Sequence, residues 1–559
     1  MSSNYTIGHY LLDRLAELGV HHMFGVPGDY NLSFLDEVID HKEIEWIGNC
    51  NELNAAYAAD GYARVNGMAA LITTFGVGEL SELSAVNGIA GSYAERVPVV
   101  KITGTPTTNV MDNGLYVHHT LGNGKFDHFS TMYKEVTVAQ TFLTQENAAQ
   151  EIDRVLLTCW TDKRPVHINL PTDVYDKPIS KPYNSLLDSA ILSNEETLKQ
   201  MIVDVPERIN SAKRPVILAD FEVTRYGAQK ALLQFAEKTG FPVATLSMGK
   251  SAFNEAHPQF IGVYNGDLSS SYVQKRIDQS DCIISVGVKL TDSITGGFSH
   301  QFSKDNVIHI HPFSVQFNST KYAPATMIDS LHALSSAITK RKAEDLDILS
   351  LTSQMAAKSY TAAETEITQE RFFERIAAFL HENDVLLAEQ GTSFFGAATM
   401  PLPKDTTFIG QPLWGSIGYT LPALLGSQLA DKNRRNVLLI GDGSFQLTAQ
   451  ELSTMLRQHI KPVIFLINND GYTVERAIHG ENQVYNDIQM WNYQELPAVL
   501  GPKDRSITFK VRTEIELEEA LILAEQNYHH LVFIEVMMHR DDKPALLAEL
   551  SKRFANQNV

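Results

Sequence analysis

The chain has 559 residues, too many for one ordinary core, and its mix of 44% apolar and 20% charged residues excludes a disordered or fibrous chain. A formal net charge of −20 argues against a nucleic-acid groove as the main business of the surface, although a metal ion could still offset a bound anion locally. Three cysteines, Cys50, Cys159 and Cys282, form no Cys-x-x-Cys pair. That excludes a disulfide framework or zinc cluster and fits a reducing cytoplasm, with each thiol read as a small buried hydrophobe.

The N-terminus, Met-Ser-Ser-Asn-Tyr-Thr-Ile, has no basic start and no apolar signal core. No apolar run approaches the roughly 18 residues of a membrane span. A soluble, cytoplasmic protein is expected. Short β-rich runs then alternate with amphipathic stretches, the pattern of parallel sheets covered by helices. In chain order the predicted strands are Ala69–Phe75, Val99–Thr103 and Val166–Leu170, then Pro215–Ala219, Pro242–Leu246, Cys282–Val286 and Val307–His311, then Thr407–Ile409, Val437–Ile440 and Val463–Asn468. Residues 176–200 and 340–368 break the rhythm and read as linkers. The expectation is an α/β protein of three doubly wound parallel-sheet domains, at 1–185, 195–342 and 362–559.

The most specific chemistry lies in Val437–Gly471: strand, Gly441-Asp442-Gly443-Ser444, an amphipathic stretch from Phe445 to about Gln458, then a second strand ending in Asn468-Asn469-Asp470-Gly471. Glycines let a backbone approach a phosphate, and a helix N-terminus offers free N–H groups, with Ser444 placed to cap it. Asp442 leaves one strand and Asn469 the next, 27 residues later. Adjacent parallel strands would bring both oxygens to one sheet edge, where open α/β sheets bind ligands. Hard oxygen ligands and a diphosphate suit Mg²⁺. Alone, Gly-Asp-Gly or Asn-Asp-Gly is an ordinary turn; at the ends of consecutive strands the pair favours a cofactor. Neither a Walker loop nor a Gly-x-Gly-x-x-Gly fingerprint occurs in this element.

Further segments stand along the chain: Phe24-Gly25-Val26-Pro27-Gly28-Asp29-Tyr30-Asn31, Asn51-Glu52-Leu53-Asn54, Val117-His118-His119-Thr120-Leu121-Gly122, Gln390-Gly391-Thr392-Ser393, Trp414-Gly415-Ser416-Ile417-Gly418 and Gly471-Tyr472-Thr473-Val474-Glu475. With the Gly-Asp-Gly-Ser and Asn-Asn elements, they resemble the thiamine-diphosphate-dependent 2-oxo acid decarboxylases, the group of pyruvate, indolepyruvate and branched-chain decarboxylases, over nearly the whole chain. The adjacent histidines are the most discriminating feature.

The resemblance implies thiamine diphosphate and Mg²⁺ as cofactors. It implies a pyrimidine-binding domain, a non-catalytic middle domain and a diphosphate-binding domain, with active sites between the subunits of a homodimer or homotetramer. Asp442, Asn469 and the Gly471 carbonyl would hold Mg²⁺; Thr392, Gly443 and Ser444 would contact the cofactor. Glu52 would bond the pyrimidine and favour its imino form, Gly415 would accept the amino group, and Ile417 would buttress the bent cofactor. Asp29, His118, His119 and Glu475 would form a polar cluster that supplies protons to a reaction turning a 2-oxo acid into an aldehyde and CO₂. Ser293, Gln390, Phe394 and Val474 resemble pocket positions. A small Ser293 and Val474 enlarge the pocket and point to branched-chain or phenyl-bearing substrates with some pyruvate activity.

The chain departs from the family pattern in one place: Glu79-Leu80-Ser81 is repeated at once as Glu82-Leu83-Ser84. Three extra residues are nearly one helical turn. No flavin fingerprint marks the middle domain, and no cysteine lies between Cys159 and Cys282 to match the regulatory thiol of yeast-type relatives. The alternatives are a carboligase of the same superfamily and a non-catalytic oligomeric protein of the same fold. The second would be expected to lack Glu52, Asp442 or Asn469, and all three are present.

Overall fold

The computed structural model describes residues 5–76, 82–189, 191–354 and 360–557. The first copy of the tandem repeat, Glu79-Leu80-Ser81, lies outside the described residues; the second opens a helix, Glu82–Ala94.

Three sheets succeed one another along the chain. The first has six parallel strands in the spatial order Glu45–Gly48, His22–Gly25, Ala69–Thr74, Val99–Thr105, Val166–Pro171 and Gln140–Phe142. The last has six parallel strands ordered Thr407–Ile409, Val385–Ala388, Asn436–Gly441, Val463–Asn468, Leu531–Met537 and Ser506–Val511. Counted within each sheet, both run 2-1-3-4-6-5. The middle sheet has seven strands; five are parallel, and the hairpin Ser314–Phe317 and Thr320–Tyr322 adds two antiparallel strands at one edge. The expected α/β architecture of three doubly wound sheets is present. The central strands are wholly buried, which is why they read as unbroken apolar runs: Ala69–Thr74 and Val463–Asn468 have every residue in the interior. No helix among the described residues is long and apolar enough to cross a membrane.

The first and last sheets are joined by two helices that cross face to face, Glu52–Asn66 and Thr420–Ala430. Their contact faces are rich in alanine and glycine. A side chain at Gly61 would run into the Ala423 carbonyl, and one at Gly426 into the Ala58 carbonyl. Backbones this close leave no room for a larger residue at either position.

Candidate active site

Asn436–Gly441 and Val463–Asn468 are neighbouring parallel strands, with Gly441 opposite Ile467, so the residues after them emerge side by side. Asp442 is buried, and its two carboxylate oxygens accept the N–H groups of Gly443 at 2.8 Å and Gly471 at 3.0 Å. Burial pushes its carboxyl up to about 6, against the pull of those two N–H donors. Asn469 is buried just past the end of the neighbouring strand. The Asn469–Gly471 turn is held by Arg476, whose guanidinium donates to the carbonyls of Asn469 at 3.3 Å and Asn486 at 3.2 Å. Gly443 faces the Tyr472 ring so closely that a Cβ would meet it at 2.5 Å. Ser444 does not cap the helix. The helix runs Asp442–Thr448 with Gly441 at its N-cap, and Ser444 is its third residue. The expected amphipathic stretch is two short helices, the second being Glu451–Arg457.

The loop with Gly415 and Ile417 hangs on Glu389, at the end of the strand Val385–Ala388. This buried carboxylate accepts from Gly418 N–H at 3.2 Å and Thr420 N–H at 3.0 Å, and burial pushes it up to about 7. From the first sheet's side, Asn87 donates to Ser416 Oγ at 3.0 Å, and Trp414 Nε1 donates to Asn87 Oδ1 at 3.1 Å. Ile417 is 39% exposed, so its side chain is free to meet a ligand. Gly415 takes a φ of +69°, which leaves the loop backbone open there.

Glu52 is the first residue of its helix, placed by the Asn51 cap, whose side chain accepts from Asn54 N–H at 2.8 Å. It is 1% exposed, yet among the described residues neither carboxylate oxygen has a hydrogen-bond partner on another residue. Burial raises its pKa, while its own backbone N–H and then the Lys101 charge pull it down. A buried carboxylate without a donor is costly. It is what a site looks like when a ligand group completes it.

Asp29, His118 and His119 form one exposed group. The His118 ring bonds the Asp29 carboxylate and stacks on Tyr30 at 5.2 Å, while His119 Nε2 lies 3.7 Å from the other Asp29 oxygen. Their ligand atoms lie within 4.8 Å of one another, but imidazole nitrogens suit Mg²⁺ poorly. Glu475 is exposed on the helix Thr473–Ile478 and, among the described residues, makes no hydrogen bond or ion pair with these three. Within one chain the structure therefore assembles three members of the expected cluster and leaves the fourth apart.

Phe394 and Val474 share an apolar cluster with Phe395, Leu547 and Leu550; Val474 abuts Gly391, beside Thr392, which is buried. The Gln390 Oε1 atom is buried without a partner among the described residues. Ser293 touches the start of the Gly415 loop, its hydroxyl donating to the Pro412 carbonyl at 3.4 Å. A cavity of about 620 Å³, lined in part by Arg64, Arg225, Lys250 and Phe394, sits on the seam between the sheets, away from Glu52 and Asp442. Sequence reasoning misses Glu389 and Lys101, whose partners Gly418, Thr420 and Thr73 lie well along the chain, and Arg476, which holds its own loop without a motif to mark it.

The chain matches three family descriptions: "Thiamine pyrophosphate enzyme, N-terminal TPP binding domain" over residues 5–129, "central domain" over 202–338, and "C-terminal TPP binding domain" over 390–536. It is similar to proteins named "Alpha-keto-acid decarboxylase" from three mycobacteria. The Mycobacterium avium protein is 44% identical over 546 residues, covering 98% of this chain and 96% of that one. The Mycobacterium leprae protein is 43% identical over 554 residues, covering 99% and 96%. The Mycobacterium tuberculosis H37Rv protein is 44% identical over 553 residues, covering 99% and 98%.

Proposed function

Because the chain belongs to the thiamine-diphosphate-dependent 2-oxo acid decarboxylases, and is a carboxy-lyase, we propose that it converts branched-chain or phenyl-bearing 2-oxo acids, and pyruvate less well, to aldehydes and CO₂. The observation that carries this reading is Glu52: a buried carboxylate at a helix start whose oxygens meet no other residue among those described, matching the need of a pyrimidine ring nitrogen for an acid partner.

The other residues fit the cofactor on the same chemical grounds. Asp442, Asn469 and the Gly471 carbonyl are a set of hard oxygen donors for Mg²⁺, and the ion's charge would relieve the buried Asp442 carboxylate. Thr392, Gly443 and Ser444 would contact the diphosphate end. The Gly415 carbonyl would accept the amino group, and Ile417 would support the bent cofactor from its exposed position. When bound, thiamine diphosphate supplies the electron sink for the carbon that loses CO₂.

Glu52 would hold a proton at the pyrimidine nitrogen. Asp29, His118 and His119 would hand protons to the reacting carbon and hold substrate oxygens, a task suited to imidazoles beside a carboxylate. Glu475 would join them from a second copy of the chain, which is why one copy leaves it apart. We therefore read the working form as a homodimer or homotetramer, in a cytoplasmic setting that suits its three free cysteines. Ser293, Gln390, Phe394 and Val474 would border the substrate side chain. The test is a panel of 2-oxo acids with added thiamine diphosphate and Mg²⁺. Aldehyde should form fastest from branched or phenyl-bearing substrates; acyloin as the main product would instead make the enzyme a carboligase.

A further inference from the structure

The segment 250–255 follows the strand Val243–Thr245 and the short turn Ser247–Gly249 of the middle sheet, and it plugs into the side of the last sheet. Lys250 and Glu255 are buried and pair at 2.7 Å. Each also reaches across the seam: Lys250 Nζ donates to the Met400 carbonyl at 2.9 Å, and Glu255 accepts from Leu402 N–H at 3.0 Å. Ser251 adds a third link, its hydroxyl oxygen accepting from Phe408 N–H at 2.7 Å. Phe408 lies on Thr407–Ile409, the edge strand of the last sheet, which pairs with Val385–Ala388 on one side only. Thr407 directs its N–H to that side, to the Asp384 carbonyl at 2.9 Å. The next N–H along the strand, that of Phe408, therefore points outward, where a sheet edge is otherwise left unpaired. Ser251 occupies that position.

A buried ion pair is weak evidence for stability, and its better-attested use is to fix the register of the parts it joins. What is held in register here is Phe394. Its ring packs on Phe408, with 5.8 Å between centroids, and on Gly410, where a Cβ would meet it at 2.7 Å. Met400, which Lys250 holds, closes the turn after the Phe394 helix, its N–H donating to the Ala397 carbonyl at 3.2 Å. The Phe394 and Phe408 rings both line the cavity of about 620 Å³, together with Lys250, Ser251, Phe253 and Leu402. A close-packed interior leaves few voids of this size, so Phe394 has space to retreat unless Phe408 stays in place. Ser251 itself takes a φ of +78°, a left-handed conformation that a serine keeps only where its surroundings impose it.

We propose that Ser251 is a positioning residue for substrate choice: by holding Phe408 at the sheet edge it backs the Phe394 ring, keeps that ring out of the cavity, and so sets the depth of the substrate pocket. Lys250 and Glu255 fix the chain that follows the Phe394 helix, so the ring is steadied from two directions. This rests on the reading of Phe394 as a border of the substrate side chain. It gives the middle sheet a part in selectivity that needs no contact with the substrate.

Ser251→Gly removes the hydroxyl and suits the left-handed backbone, so the fold should hold. In enzyme saturated with thiamine diphosphate and Mg²⁺, the ratio of specificity constants for 3-phenyl-2-oxopropanoate over pyruvate should rise by roughly three- to tenfold, the reach of one hydrogen bond. The rise should lie in the KM of the larger substrate, with pyruvate turnover unchanged. Phe408→Leu, which thins the backing and leaves Ser251 in place, should move the ratio the same way. An unmoved ratio in either variant overturns the role of Ser251, and so does an equal fall in both specificity constants, which a merely structural role would give. Phe394→Ala on the same substrates separates the two readings. If the ratio stays put there, Phe394 does not border the substrate, and the pocket assignment fails together with the proposal. If Phe394→Ala moves the ratio and Ser251→Gly does not, the pocket assignment stands and the role of Ser251 falls.

Discussion

The first and last sheets have the same strand order, and they differ in the residues that leave the end of each strand. After the first strand come Asp29 in one and Gln390 and Thr392 in the other. After the second come Glu52, and Gly415 with Ile417. After the third come the doubled Glu-Leu-Ser segment, and Asp442 with Gly443. After the fourth come His118 and His119, and Asn469, Gly471 and Glu475. Every proposed site residue outside Ser293 thus leaves the carboxyl end of one of four equivalent strands, the side where such sheets bind ligands. In the proposed reading the same scaffold is furnished twice: in the first sheet with groups that would move protons, in the last with glycines and the Asp442 and Asn469 oxygens that would cradle a charged ligand, Glu475 being the one proton-handling group there. A fold sets where a site is, and the loop residues set which half of the chemistry it does.

Changes on the two sheets should therefore fail in different ways. The largest effect should come from the first. Glu52→Gln keeps shape but loses the acid, and thiazolium-proton exchange should slow by roughly 10²–10⁴-fold with cofactor still bound. Loss of binding rather than exchange would erase the distinction between the halves. On the last sheet, Asp442→Asn should weaken Mg²⁺-dependent cofactor binding by about 100-fold or more in calorimetry. The unloaded protein should keep its fold, because removing a buried charge offsets the loss of one of the two N–H acceptors that Asp442 provides.

The comparison sharpens further if the halves come from two copies. Asp29→Asn and Glu475→Gln proteins, each inactive, should regain about a quarter of wild-type activity after dissociation and remixing, since half of the dimers would be hybrids with one intact site of two. No recovery would place both halves in one chain. The smallest effect should come from the middle sheet. Ser293→Phe should lower the specificity for 3-methyl-2-oxobutanoate over pyruvate by roughly tenfold, about 1.4 kcal/mol. A collapse of both constants would mean that the Pro412 contact, rather than pocket size, is what Ser293 supplies.

Much of this is legible in the sequence because of where the residues lie. Strands buried on both faces, such as Cys282–Val286 and Pro215–Ala219, announce themselves as apolar runs, and the runs end where the strands end. Asp442 and Asn469 can be paired because one strand-helix-strand unit separates them. Two edge strands escape such a reading, Glu45–Gly48 and Ser506–Val511, which are largely part-exposed and carry no apolar run, whereas the edge strand Thr407–Ile409 is legible. Ser444 is misread as a cap because a cap and a first-turn serine look alike in sequence. Lys101 is invisible because its ammonium meets Thr73 and Glu82 only when two neighbouring strands and a helix are stacked.

The crossing of Gly61 and Gly426 has a consequence for how the enzyme can change. Each glycine sits against a carbonyl of the opposing helix, so neither position can be altered alone without driving the first and last sheets apart. A lineage descending from this protein can reshape its pocket through the loops or through the middle sheet, but this joint is a locked inheritance. Variation that tunes substrate choice should accumulate around Ser293 and Val474, while the helix pair that fixes the spacing between Glu52 and the Gly415 loop stays as it is.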